Sequence, residues 1–404
     1  MAHLDEAIIT FDDSKGPLTF GIELEFLVPA LKPGQEDKNP MDLRPLFRVE
    51  DHDPCEYRDE LDEFILPTLK DIKSIKIREE AMDKFVPPHD NVPRYDVWRL
   101  INDISAKAGD EPKYNAYEWV GKEVTSEVLR ANDPGYAEKI TDMCRAIRNC
   151  RVHLNASTGV HVHVGRGDDG FTLKTVKFST LIWLVDTQLL SLHHPSRWDN
   201  KHCQSIRKMS QLASYTKERS NFEDLETYNA EGLTEMEESV PSNIASFLVE
   251  KLSRIWAAKD LEELANLMGN RTDPTSRNPM RSAIRGTVGF RRFLPAGKTG
   301  GNINTLEFRQ MAGSLDPDHI MCWIKVCVAL VDFARLSDSH TYRSVVGNVA
   351  RQGFRYTSSD LLRDCGLEDE ITYWEQRVSL YKSGSNHALE LYEGAEHELF
   401  VPPI

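Results

Sequence analysis

The chain has 404 residues, 28% of them charged, and a formal net charge of -15, which disfavours nucleic acid and anionic membrane as partners because both need a basic face. Its seven cysteines are scattered and lack CxxC spacing, so they read as reduced thiols rather than a disulfide framework or a zinc knuckle. The acidic start MAHLDEAIITFDD does not read as a signal peptide, and no apolar run nears the roughly 18 residues of a membrane helix, so a cytoplasmic location is expected.

Leu18–Pro29 is the first strand, followed by an irregular loop, Ala30–Pro54, rich in Pro, Gly and charge. Glu56–Phe85 has helical spacing broken at Pro67, and Tyr95–Ala106 reads as a helix with Val97, Leu100, Ile101 and Ile104 on one side. Ala116–Thr125 is a second strand, with Val120, Lys122 and Val124 on one face and Gly121, Glu123 and Thr125 on the other. A helix to about Arg148 follows the Asp133-Pro134-Gly135 turn, with Ile140, Met143, Cys144 and Ile147 along its stripe. Thr158–Gly165, TGVHVHVG, is a strand, and Thr172–Leu192 a long apolar helix. Leu212–Val240 reads as a polar surface insertion and Pro241–Met268 as two helices. A polar loop, Gly269–Arg281, precedes a strand over Ser282–Phe293. A glycine-rich turn, Gly297–Gly301, leads into the strand NTLEFRQ, Asn304–Gln310. Pro317 suits the first turn of the next helix, and two short helices near Ser358–Tyr381 precede a polar tail.

Three of these strands carry a polar i, i+2 pair opposite an apolar face: Glu23 and Glu25, His161 and His163, Glu307 and Arg309. Each pair alone fits a bland reading. ExE suits the solvated face of a sheet, HxH two satisfied core histidines, and ExR a salt bridge. Together in one sheet they would gather carboxylates, imidazoles and a guanidinium. With Glu123 the carboxylates would repel unless a cation lay among them, and oxygen donors with an imidazole favour Mg²⁺ or Mn²⁺ over zinc. Arg277, Arg281, Arg285, Arg291, Arg292 and Lys298 form a local basic run in an acidic protein; arginine forks suit phosphate oxygens, and the plainer reading is a solvated basic face. Two decoys are set aside. Gly165–Gly170 fits GxGxxG, but Asp168 and Asp169 would meet the pyrophosphate; Gly297-Lys298-Thr299 has Arg292 where a P-loop needs glycine.

The segments GIELEF, GKEVTSEVL, TGVHVHVG, HHPSRWDNKHC and TLEFRQMAGSLDPDHIMCWI, in that order, resemble the amidoligase family, best known from fungal and bacterial genomes and related to glutamine synthetase and glutamate–cysteine ligase. The resemblance implies an α+β fold: a curved antiparallel β-sheet funnel with helices on its outer face, as a single catalytic domain. Its core would span about 18–336, with insertions near 30–115 and 210–275 and a helical extension at 337–404. It implies ATP and Mg²⁺, with Glu23, His161 and Glu307 on one metal, Glu25 and Glu123 on a second, and His163 near the phosphates. Arg309 would contact the transferred phosphoryl group, and Arg309 and His163 are the catalytic candidates. Arg285, Arg291, Arg292 and Lys298 are candidates for the triphosphate; Arg197, Asn200, Arg281 and Gln310 are candidates for substrate contact. The implied activity is a carboxylate–amine ligase acting through an acyl phosphate, on small-molecule or peptide acids and amines. Alternatives are a phosphotransferase of the guanidino-kinase type and a hydrolase or oxygenase with one transition metal at HxH plus Glu. The sequence departs from the family at Glu127, where Pro is common, and at Met311-Ala312, where His-Glu is common; Glu127 and Glu118 are two further acidic candidates. The Ala30–Pro54 loop and the 210–240 insertion are candidate lids.

Overall fold

The structure, a computed structural model, describes residues 16–50, 57–70, 72, 76–79, 95–198, 200–215, 229–270, 285–294, 304–382 and 399–403. The strands are β1 Thr19–Leu31, β2 Phe47–Arg48, β3 Ile77–Glu79, β4 Trp98–Asn102, β5 Tyr117–Thr125, β6 Leu129–Arg130, β7 Gly159–Gly165, β8 Val288–Gly289 and β9 Thr305–Ala312. The helices are α1 Tyr57–Lys70, α2 Tyr136–Asn149, α3 Val176–Leu190, α4 Ile206–Met209, α5 Gln211–Ser214, α6 Ala230–Ser239, α7 Ser246–Trp256 and α8 Leu261–Met268. They continue as α9 Pro317–Leu336, α10 Ser339–Gln352, α11 Ser358–Asp364 and α12 Glu368–Lys382. This is an α+β protein whose sheet is mainly antiparallel. Among the described residues no helix is long and apolar enough to cross a membrane.

The chain divides into two compact units. The first comprises Phe20–Val162, Met311–Ile324 and Ser379–Ile404. Its strands run in the order β3-β4-β5-β1-β7, with β2 and β6 also on β1. β1 pairs antiparallel with β5 over nine residues and β5 antiparallel with β4, while β3 joins β4 in parallel. The alternation in FGIELEF is realised: Phe20, Ile22, Leu24 and Phe26 are buried apolar residues. On the same principle β5 buries Val120, Lys122 and Val124. Lys122 is wholly buried because α1 brings Asp62 to it as an ion pair, and Asn102 accepts a further hydrogen bond from its ammonium at 2.5 Å.

Three expectations need correction here. Tyr95–Ala106 is not a helix; it holds β4, inserted between β3 and β5, and Ile104, which completed the helical stripe, is 81% exposed. Pairing on both sides outweighed a short run of helical spacing. Pro67 does not break α1. Its ring faces solvent, where water can satisfy the carbonyl it frees, and Leu61, Ile65, Leu66 and Leu69 pin the helix on both sides. The described part of the Ala30–Pro54 loop is tied down rather than poised as a lid. Arg151 pairs with Asp37 and donates to the Arg44 carbonyl at 2.8 Å, and Arg44 donates to the carbonyls of Arg148 and Cys150. Tyr117 adds a 2.7 Å bond to Asp37. The chain end docks in this unit as well: Val401 N–H donates to the Val152 carbonyl, and Phe400 joins Tyr117 and Leu31.

The second unit comprises Met1–Thr19, His163–Gln310 and Lys325–Val378. It holds the continuation of β7, most of β9, and β8 antiparallel to β9. α3 is buried nearly all round, as its apolar sequence requires, and packs against α4, α7, α10 and α11. The strand expected over Ser282–Phe293 is only Val288–Gly289 among the described residues. A 3₁₀ turn, Arg291–Phe293, follows, because Phe290 and Phe293, three residues apart, pack edge to face with centroids 5.8 Å apart. Of the supposed insertion, α6 packs on α7 and α10, and Met236 is buried, so this part belongs to the helical layer. Residues 216–228, and the glycine-rich turn at Gly297–Gly301, lie outside the described residues.

Candidate active site

In the first unit the register decides which acids meet. Glu25 lies directly opposite Glu123, and Glu23 opposite Thr125. Directly paired residues share a face, so Glu23, Glu25 and Glu123 project from the same side of the sheet. The pairing brings two carboxylates side by side across the two strands. His161 completes the group. Its Nδ1 is 2.9 Å from Glu23 Oε2, and its Nε2 is 3.7 Å from Glu25 Oε1. Glu25 Oε2 accepts the Gly159 N–H at 2.7 Å, which fixes the carboxylate while the other oxygen faces the imidazole. The imidazole is buried and Glu25 nearly so. Oxygen donors with one imidazole fit a hard divalent cation. One cation was missed in the sequence. Arg99 lies opposite Thr125 on β4, in the row that holds Glu23. Reading that stretch as a helix hid it.

Glu118 and Glu127 do not join this group. Glu118 is on the other face of β5 and pairs with Lys32 at 3.3 Å. Glu127 is taken by Lys139.

In the second unit β7 and β9 carry the other candidates. His163 Nδ1 is 3.2 Å from Thr305 Oγ1, and a ring nitrogen of His163 and an oxygen of Glu307 lie within 4.8 Å of each other, a spacing one cation can bridge. Arg309 forms an ion pair with Glu307 along β9. Both ends of the Arg309 residue are held: its N–H donates to Thr287 O at 2.9 Å, and its Nε donates to His202 O at 3.0 Å. β8 matters to the carboxylate through a single residue. Gly289 lies opposite Glu307, and a Cβ there would sit 3.0 Å from Glu307 Oε2. Gly289→Ala is therefore expected to push the carboxylate aside and weaken Mn²⁺ binding about tenfold with little change in melting temperature. A Mn²⁺ titration of both proteins checks this, and equal affinities would show that the carboxylate has room to spare.

Three expected substrate contacts have other work. Arg197 is buried and donates to the carbonyls of Arg309 (2.8 Å) and Gln310 (3.3 Å), so it holds the β9 backbone. Gln310 is fully buried and alternates with Glu307 and Arg309 onto the apolar face with Leu306 and Phe308. Asn200 caps its own turn, accepting the His202 N–H at 2.8 Å. Arg285 sits 3.3 Å from His202 Nδ1, and Arg291 and Arg292 are half-buried on the 3₁₀ turn. Arg277, Arg281 and Lys298 lie outside the described residues.

Two residues of this unit were assigned no role from the sequence. Asp186 on α3 is fully buried, which pushes its carboxyl pKa up. It accepts from Ser205 Oγ at 2.5 Å, from the Arg207 N–H at 3.2 Å and from Thr287 Oγ1, so it knots the chain on both sides of the arginines. An acid inside the apolar run VKFSTLIWLVDTQLL was the available signal. His202 is half-buried; burial, then the charges of Arg285, Lys201, Arg309 and Arg197, push its pKa down to about 4.

One unit thus gathers carboxylates and an imidazole, and the other gathers an imidazole, a carboxylate and guanidinium groups. Residues 16–239, more than half of the chain, match the family described as putative amidoligase enzyme, and the protein belongs to that family. Glu23, Glu25, Glu123, His161 and His163 fall within the matched residues, whereas Glu307 and Arg309 stand on geometry alone. No curated protein and no solved structure matches the chain.

Proposed function

We propose that the protein is an ATP- and Mg²⁺-dependent carboxylate–amine ligase built on a glutamine synthetase-like sheet. Family membership supports a ligase. The observation that carries the metal dependence is Glu25 directly opposite Glu123 with His161 Nε2 3.7 Å from Glu25, a set of carboxylate and imidazole donors suited to a divalent cation. Glu23, Glu25, Glu123 and His161 would hold Mg²⁺ in one unit, and His163 with Glu307 would do so in the other. Bound Mg²⁺ would neutralise phosphate charge. Arg309, fixed at both its backbone and its Nε, would present its guanidinium to the phosphoryl group passing from ATP to the acid, giving ADP and an acyl phosphate. An amine then displaces phosphate to form the amide. Preorganised donors aimed at developing phosphoryl charge supply most of such catalysis. The Arg309–Glu307 ion pair would help hold that guanidinium in place.

Calorimetry of ATP with and without Mg²⁺, on wild type and Glu307→Ala, tests this. The expected result is binding that requires Mg²⁺ and falls at least tenfold in the variant. Absence of binding in both conditions overturns every ATP-dependent reading, including the phosphotransferase. Elemental analysis would then show whether the HxH strand holds zinc or iron.

A further inference from the structure

His202 lies in the polar stretch HHPSRWDNKHC, and neither the metal groups nor the arginine assignments use it. Its surroundings are built, not incidental. Asp186 ties the segment after it, through Ser205 and the Arg207 N–H, to Thr287, two residues from Arg285. Thr287 N–H donates to Gln204 O at 2.9 Å, and Arg309 N–H to Thr287 O at 2.9 Å, so the His202 and Arg285 segments and β9 form one hydrogen-bonded frame. Within that frame Arg285 Nη1 is 3.3 Å from His202 Nδ1. A guanidinium can only donate, so Nδ1 must be the bare, accepting nitrogen and the ring proton must be on Nε2. The same residue's carbonyl receives Arg309 Nε at 3.0 Å. A half-buried imidazole among Arg285, Lys201, Arg309 and Arg197 is kept uncharged, yet it retains one N–H for a ligand oxygen.

We propose that His202 is a binding residue for phosphate-bearing ligands, held by Arg285 as the Nε2–H tautomer so that this N–H donates to a polyphosphate oxygen beside Arg309. The assignment deepens the proposed function and rests on it for the nature of the ligand. A neutral donor amid guanidinium groups adds a directed hydrogen bond without adding charge, which suits a site that must also release its product.

Two measurements on the full chain test it. Long-range ¹⁵N–¹H spectra at pH 7.5, with the His202 signal assigned by its loss in His202→Gln, are expected to show the Nε2–H pattern. An Nδ1–H pattern overturns the proposal. Calorimetry with inorganic tripolyphosphate and Mg²⁺ is the second. His202→Ala is expected to weaken binding at least tenfold, whereas His202→Gln, which restores an N–H near the Nε2 position, is expected to stay within about threefold of wild type. Both variants lose the ring, so a difference between them reports the donor and not the fold. Equal affinity in wild type and His202→Ala, equal weakening in the two variants, or no tripolyphosphate binding by wild type each overturns it. Tripolyphosphate binding with the expected variant pattern, but no ADP formed with any acid and amine, would instead sink the ligase reading and leave His202 as assigned.

Discussion

Arg309→Ala is expected to lower turnover in the proposed reaction about a thousandfold, the usual cost of losing a guanidinium from a transferring phosphoryl group. The variant should still fold, because the backbone of residue 309 keeps its bonds to Thr287 and Arg197 whatever the side chain. Divalent-cation affinity should hold or rise, since Glu307 loses a competing partner. Arg309→Lys should recover little, because one ammonium cannot both donate to His202 O and present a planar fork. Initial rates of ADP formation, measured beside a Mn²⁺ titration, separate these effects. A rate within tenfold of wild type would remove Arg309 from the chemistry. A parallel loss of Mn²⁺ binding would make it a structural support of Glu307.

Lys122→Met is expected to destabilise the first unit by about 3–5 kcal/mol, because it removes the ammonium paired with the buried Asp62 carboxylate. Asn102 also loses its ammonium donor. Adding Asp62→Leu should recover most of the loss, since a well-packed apolar pair of similar volume is often as stable as a buried ion pair. Urea denaturation of the two variants beside wild type checks this. A loss below about 1 kcal/mol for Lys122→Met would mean that water reaches Asp62 once the lysine is gone. The site should be affected only indirectly. Lys122 points away from Glu123, as successive strand residues must, and both belong to β5.

The strands that carry the candidate groups were the most legible part of the chain. FGIELEF, GVHVHVG and TLEFRQ alternate strictly, and alternation is a local property that survives folding. The stripe of α2 and the long apolar run of α3 were legible for the same reason. Stretches without strong periodicity were not. Tyr95–Ala106 carried helical spacing by accident and became a strand, because β5 and β3 offered its backbone partners on both sides. Ser282–Phe293 alternated too briefly to stay extended past Gly289.

Composition, the three polar i, i+2 pairs and the family resemblance were determined by the sequence by itself. So was the fact that each pair occupies one face of a strand, since side-chain direction follows from parity alone. Register is different. Glu123 rather than Glu118 faces Glu25, Arg99 shares a row with Glu23, and Gly289 makes room for Glu307 only because particular residues were brought opposite one another. The same holds for Arg197 on the β9 carbonyls and for Asp186 between Ser205 and Thr287. Those partners are separated by up to 113 residues of chain, and no local pattern encodes a neighbour that distant. Sheet pairing and the burial of α3 select them, and both are satisfied only when the whole chain has folded.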